Sequence, residues 1–184
     1  MSQFPGLIIE RARPTDASAF AAILADVWQT EYPNPELEMS SDHCERMASR
    51  IASAEYEESL AARIQAEANN QSVVYLAARL EEACVGFLEG SQHSYNSHRS
   101  VEHLNVVRTH RGKGIGTALL RQFFIWGGAS LPVRLRVAVY TPALQFYRNR
   151  GFTEIPEEVP SGARVAIQRT MKMVYNPGGQ PHEV

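Results

Sequence analysis

The sequence predicts an α/β (α+β) fold in a single domain, and three observations carry that prediction. Helix-period and strand-period hydrophobic segments alternate along the 184 residues, with turn residues between them. Residues 72–80 (SVVYLAARL) and 83–90 (ACVGFLEG) are apolar runs parted only by Glu81 and Glu82, the pattern of a β-hairpin. Residues 101–128 read as a strand, a glycine-rich turn and an amphipathic helix. The strand closes on Leu104, Val106 and Val107, and the helix carries Ile115, Ala118, Leu119, Phe123 and Trp126 at three- and four-residue spacing.

The other elements follow from the same two periods. Residues 7–12 make a first strand. Pro14, Thr15 and Asp16 start a helix, with Thr15 or Asp16 as cap, and Phe20, Ile23, Leu24 and Val27 continue it to Trp28. The run Tyr32-Pro33-Asn34-Pro35 breaks it. A second helical stretch spans 41–68 with an interruption near Ser53, and its Met47, Ile51, Leu60 and Ile64 face inward. Residues 93–100 (HSYNSHRS) are polar and read as a loop. Residues 132–139 alternate Val133, Leu135, Val137 and Val139 with Arg134 and Arg136, a half-buried strand. A short helix over 141–150 and strands over 152–155 and 164–175 complete the set. Residues 1–175 are thus expected to form one domain, and 176–184, with nothing to pack, a disordered tail.

Composition narrows the function classes. A chain of 184 residues with 44% hydrophobic content buries roughly 70% of its unfolded surface, enough for one core. A net charge of −2 gives no electrostatic case for nucleic acid or an anionic membrane. The opening MSQFPGLIIERARPTD lacks a basic region and a long apolar run, so a signal peptide is not expected, and cytoplasmic residence follows. Cys44 and Cys84 are too few and too far apart for a disulfide framework or a zinc site, and read as spectator thiols.

The turn of the third observation is where function is expected. Its alternate glycines let backbone N–H groups crowd together, and at a helix start those donors are unpaired and carry the positive end of the dipole. A phosphate fits there. A P-loop would need the lysine after the last glycine, and Lys113 lies between glycines. A dinucleotide fingerprint would need a third glycine where Thr117 stands, and an acid about twenty residues on, where Arg134 and Arg136 stand instead.

The spacing from Arg111 to Gly116, R-x-x-G-x-G, resembles the pyrophosphate loop of the GNAT superfamily of acyl-coenzyme A N-acyltransferases. Residues 143–152 (ALQFYRNRGF) resemble a second motif of that family, A-x-x-[LF]-Y-x-x-x-G-F, through Ala143, Phe146, Tyr147, Gly151 and Phe152. The resemblance runs over roughly 72–174. It implies a central, mixed, mostly antiparallel twisted sheet of about seven strands flanked by helices, with a splayed parallel pair at its centre. It also implies acetyl-coenzyme A as acyl donor, no metal, and direct acetyl transfer to a primary amine of a small molecule. By the same resemblance, Arg111, Gly112, Lys113, Gly114, Ile115, Gly116 and Thr117 hold the pyrophosphate. Leu104 and Val106 offer main-chain contacts to the pantetheine arm, the Val106 N–H polarising the thioester carbonyl. Tyr147 falls on the general-acid position, and Tyr140 stands where many relatives place an asparagine near the cofactor.

The base is less plainly written. Leu135 occupies the position where many relatives carry a glutamate, which leaves Glu102 as first candidate, with Glu89, the histidines His93, His98, His103 and His110, or an ordered water chain behind it. Trp28, Tyr32 and Tyr95 are candidate wall residues for the acceptor, and Arg134 and Arg136 for an acceptor carboxylate. No nucleic-acid or membrane partner is expected, and a homodimer stays open. Two other readings remain: transfer to a protein amine, and a non-catalytic module that binds acyl-coenzyme A and needs neither base nor Tyr147.

Overall fold

The structure, a computed structural model, describes residues 5–37, 39–69, 72–92, 97–128, 130–155 and 170–177. In chain order the elements are β1 (Ile8–Arg11), α1 (Ala17–Thr30), α2 (Ser41–Ile51), α3 (Ala54–Glu67), β2 (Val73–Leu80), β3 (Ala83–Ser91), β4 (Arg99–Val106), α4 (Ile115–Gly127), β5 (Val133–Ala138), α5 (Pro142–Arg148), β6 (Thr153–Glu154) and β7 (Thr170–Tyr175). The strands form one seven-stranded sheet in the order β1-β2-β3-β4-β5-β7-β6. Every neighbouring pair is antiparallel except β4 and β5.

Strand alternation splits the core into two layers. On β2, Val74, Leu76 and Ala78 join Leu119, Leu120 and Phe123 of α4 on one face. Tyr75 and Ala77 turn to the other face and meet Phe20, Leu24, Leu60 and Ile64 of α1 and α3. Phe20 stacks on Phe87 of β3 at 4.4 Å between ring centroids, which locks α1 to the sheet.

Several local expectations need adjustment. The interruption near Ser53 is complete: Ser53 caps α3 by accepting the Tyr56 N–H, so the stretch is two helices. Cys44, Ala48 and Ile51 form the buried side of α2, and Met47 is only half-buried. Asp16 does not cap α1 with its side chain; it accepts from the Arg13 N–H at 2.7 Å and from Arg79 of β2. The strand expected from residue 101 begins at Arg99, inside the stretch read as loop. Arg99 is fully buried with its guanidinium over the rings of Phe123 and Phe124, aromatic partners that a linear reading of a polar stretch does not reveal. His93 and Tyr95, and most of the strand expected over 164–175 before Thr170, lie outside the described residues.

The hairpin turns at Glu81 and Glu82 as expected, both with positive φ, 47° and 71°. The feature that positions the site is the parallel pair. β4 and β5 are in register only at Arg99, Ser100 and Val101 opposite Val133, Arg134 and Leu135. Beyond Val101 they part, and β4 continues beside β3 alone. At the parting, β3 pairs Glu89 with His103 and Gly90 with Val101, which leaves Glu102 as the extra residue of a β-bulge.

Candidate active site

A cleft of about 360 Å³ occupies the gap between the parted strands. Leu104 and Val106 of β4, Val137 and Ala138 of β5, the turn before α4, Tyr147 of α5 and Tyr32 after α1 line it.

The parting frees main-chain donors. The Val107 N–H donates to the Val85 carbonyl on β3 at 2.9 Å. Backbone groups alternate sides along a strand, so the N–H groups of Val106 and Leu104 point the other way, into the cleft. The Val106 carbonyl points there too and accepts from Arg111 Nε at 2.8 Å.

The glycine turn reads as a cradle. Gly114 caps α4 in the left-handed region at φ 83°, and the first intrahelical bond runs from the Ala118 N–H to its carbonyl at 3.0 Å. The N–H groups of Ile115, Gly116 and Thr117 therefore precede the helical ladder and face the positive end of the dipole. A Cβ at Gly112 or Gly114 would meet no atom within 4 Å, so both border open space where an anion can approach the backbone. Gly116 differs: a Cβ there would press on Phe146 at 3.2 Å and Leu104 at 3.4 Å, so its absence serves packing. These groups fit a diphosphate on a pantetheine-bearing ligand.

The side chains divide more unevenly than the motif implies. Arg111 forms an ion pair with Glu31 after α1. Lys113 is exposed and is not among the residues lining the cleft. Tyr140 does not line it either; its hydroxyl donates to the Tyr32 carbonyl at 3.2 Å. Glu102, exposed on its bulge, does line the cleft and accepts from the Ser91 hydroxyl at 3.1 Å.

Tyr147 is 6% exposed, wedged edge-on between Phe146 and Phe152 at 5.1 and 5.3 Å. Burial, with Tyr32 adding and Arg150 opposing, holds its phenol protonated well above the ordinary range. Burial, then Glu31 and Tyr140, likewise pushes Tyr32 up to about 12.

Of the other base candidates, His103 lines the cleft with Nε2 3.9 Å from Glu89, whose carboxylate accepts from the Tyr75 hydroxyl at 2.9 Å. Burial and Arg134 push His98 below its usual range, with Glu102 opposing. Leu135 is buried core, consistent with the missing acid there. Trp28 packs on Tyr32 and His43 and takes no part in the lining. Arg136 lines the cleft and donates to Thr170 Oγ1 at 3.0 Å, whereas exposed Arg134 does not line it.

Two charged lining residues escaped the sequence reading. Glu31 follows α1 with nothing local to mark it, and Arg150 was absorbed into the second motif as a spacer. The Arg150 guanidinium reaches Thr117 Oγ1, with Nε at 3.1 Å, across 33 positions of sequence.

Among the described residues no group of three or more His, Cys, Asp or Glu is placed to hold a metal, and no helix is long and apolar enough to cross a membrane. No curated protein matches the sequence. Several solved structures share the fold. PaiA N-acetyltransferase from Thermoplasma acidophilum, in complex with coenzyme A, superposes with a TM-score of 0.73 at 18% identity, covering 94% of this chain and 99% of that one. The acetyltransferase of the GNAT family from Streptococcus pneumoniae gives 0.65 at 20% identity, covering 91% and 96%. The GCN5-related N-acetyltransferase from Rhodopseudomonas palustris gives 0.64 at 20%, covering 94% and 96%. Residues 70–154 match the family model of the acetyltransferase (GNAT) domain, a segment that holds the parted strands, the glycine turn and Tyr147. By this match residues 70–154 resemble a GNAT acetyltransferase domain, and the described chain shares the fold of these structures.

Proposed function

We propose that the protein is an acetyltransferase of the GNAT superfamily that takes its acyl group from acetyl-coenzyme A and acetylates a primary amine of a small molecule, by direct transfer within the cleft between β4 and β5. The observation that carries the reading is a single cleft holding a glycine cradle, a protonated phenol and a carboxylate. The Arg111–Thr117 turn holds the diphosphate, and Leu104 and Val106 hold the pantetheine arm through the main chain. The Val106 N–H donates to the thioester carbonyl and stabilises the oxygen as it gains charge. Glu102 removes a proton from the acceptor ammonium, directly or through water, and the freed lone pair attacks the carbonyl carbon. As the carbon–sulfur bond breaks, the Tyr147 hydroxyl donates to the departing thiolate and recovers the second proton shed by the attacking nitrogen, so the buried phenol is neutral before and after; a leaving group of pKa roughly 8.5 needs only that modest help. The products are an N-acetylated amine and free coenzyme A.

A small acceptor is supported by the enclosure. Tyr32 and Glu31 line a cleft whose volume, about 360 Å³, lies low in the usual range for small-molecule sites. The test is thiol release from acetyl-coenzyme A across a panel of small amines and lysine- or N-terminus-bearing peptides, for wild type and Tyr147→Phe. The expected result is turnover with small amines, and a loss of about 10²–10⁴ in the variant with coenzyme A affinity kept. Turnover with peptides alone moves the acceptor to a protein. An equally active variant removes Tyr147 from the chemistry.

A further inference from the structure

Arg150 follows α5 and lines the cleft, as Arg111 does. Its guanidinium is fixed in three ways: Nη1 donates to the Phe146 carbonyl at 2.7 Å, Cζ lies 3.6 Å from the centre of the Phe146 ring, and Nε donates to Thr117 Oγ1 at 3.1 Å. Among the described residues no carboxylate pairs with it. Arg111, the cation named by the motif, is already neutralised by Glu31.

The placement is costly on its own. Thr117 lies in the first turn of α4, so Arg150 is held beside the positive end of a helix dipole, a like-sign encounter. Burial also disfavours its charge. An anion seated on the N–H groups of Ile115, Gly116 and Thr117 would turn both penalties into attraction, and a guanidinium fork suits a phosphate.

We propose that Arg150 is the side-chain clamp for the 5′-diphosphate of coenzyme A, gripping from the α5 side the group that the glycine turn cradles with backbone. The inference rests on that turn being the diphosphate seat. It makes Arg150 a binding residue that reports cofactor occupancy to α5, the helix that carries Tyr147.

Arg150→Met keeps an apolar stem over Phe146, and Arg150→Lys keeps the charge without the fork. Affinities for coenzyme A, 3′-dephospho-coenzyme A and phosphate-free pantetheine are measured by calorimetry, with circular dichroism to confirm folding. The Met variant is expected to bind the two diphosphate ligands about 10- to 100-fold more weakly by the same factor, the range for a charged hydrogen bond. The Lys variant should recover part of the loss, pantetheine binding should not change, and KM for acetyl-coenzyme A should rise more than kcat falls. Unchanged affinity in a folded Met variant overturns the proposal. A loss with coenzyme A but not its 3′-dephospho form overturns it too, assigning Arg150 to the 3′-phosphate. If Arg150→Met does not fold, Thr117→Val, which removes the hydroxyl that aims the guanidinium, is expected to weaken both diphosphate ligands, and unchanged affinity there counts against the clamp. Wild-type protein that binds no coenzyme A would instead remove the diphosphate seat itself.

Discussion

The lining of the cleft is built from two different materials. Around the cradle, backbone predominates: glycines, the open edge of β4 and the first turn of α4, contributed largely by residues close together in sequence. Around Tyr32, side chains predominate, and they come from distant elements: Tyr32 after α1, Glu102 on a bulge, and Tyr140 bonded to Tyr32 across 108 positions, while Glu31 reaches back to pair with Arg111. A backbone site binds what all its ligands share and tolerates little change. A side-chain site can be altered one residue at a time, so the choice of the proposed acceptor is expected to rest on the side chains around Tyr32.

The largest expected separation of the two parts comes from Glu102→Gln. At neutral pH kcat/KM should fall by about 10²–10⁴, the usual range for a base, while coenzyme A affinity stays at the wild-type value. Activity should partly return at high pH, where the amine is already neutral. Near-normal turnover at pH 7 would pass the role to Glu89 through His103, to another histidine or to water.

The same division explains what the sequence disclosed. Gly114, Ile115 and Tyr147 were legible because each sits in a short contiguous frame whose spacing reflects local geometry. Individual strands followed from alternation, and the seven-stranded sheet with its parallel pair from the family resemblance that the two motifs carry. Glu31 and Arg150 were not legible: their meaning lies in Arg111 and Thr117, and pairing across long sequence separation leaves no periodic trace. Arg99 was missed for a related reason, since its burial depends on Phe123 and Phe124 of a later helix.

The cradle itself can be divided by two glycines that look alike in sequence. Gly114→Ala puts a methyl in open space at φ 83°, at a strain of roughly 1–2 kcal/mol. The strain should lower stability, and coenzyme A affinity should drop by about tenfold as the methyl enters the space open to the anion. Gly116→Ala has an ordinary helical backbone but presses on Phe146, the ring beneath Arg150 and beside Tyr147. It should lower thermal stability and kcat together. Identical effects from both variants would mean that the two glycines do one job.

Alkaline pH tests whether the two parts share a buried interior. Tyr32 and Tyr147 both have raised pKa values, so the folded state holds their protons more tightly than the unfolded chain does. Their stabilisation is fully present below the unfolded value near 10 and is lost as pH rises through the folded values, about 12 for Tyr32. The melting temperature should decline above pH 10. Tyr147→Phe removes one of these groups, and its decline should be shallower. Parallel curves for wild type and variant would mean that Tyr147 is hydrated.

The smallest effect is expected where the two parts are tied together. Tyr140 was assigned to the cofactor by resemblance, yet its hydroxyl reaches the Tyr32 carbonyl and its side chain is absent from the cleft lining. Tyr140→Phe keeps the ring and deletes that donor, which leaves a carbonyl beside a cleft that water can enter. The cost should therefore be one ordinary hydrogen bond, about 1 kcal/mol, or about 2–4 °C in melting temperature for a chain of this length. Loosening Tyr32 should raise KM for the amine a few-fold and leave coenzyme A affinity alone, because no backbone donor of the cradle moves. If the variant instead loses coenzyme A affinity with acceptor KM unchanged, Tyr140 belongs with the cradle. The resemblance then identifies its role better than the hydrogen bond does.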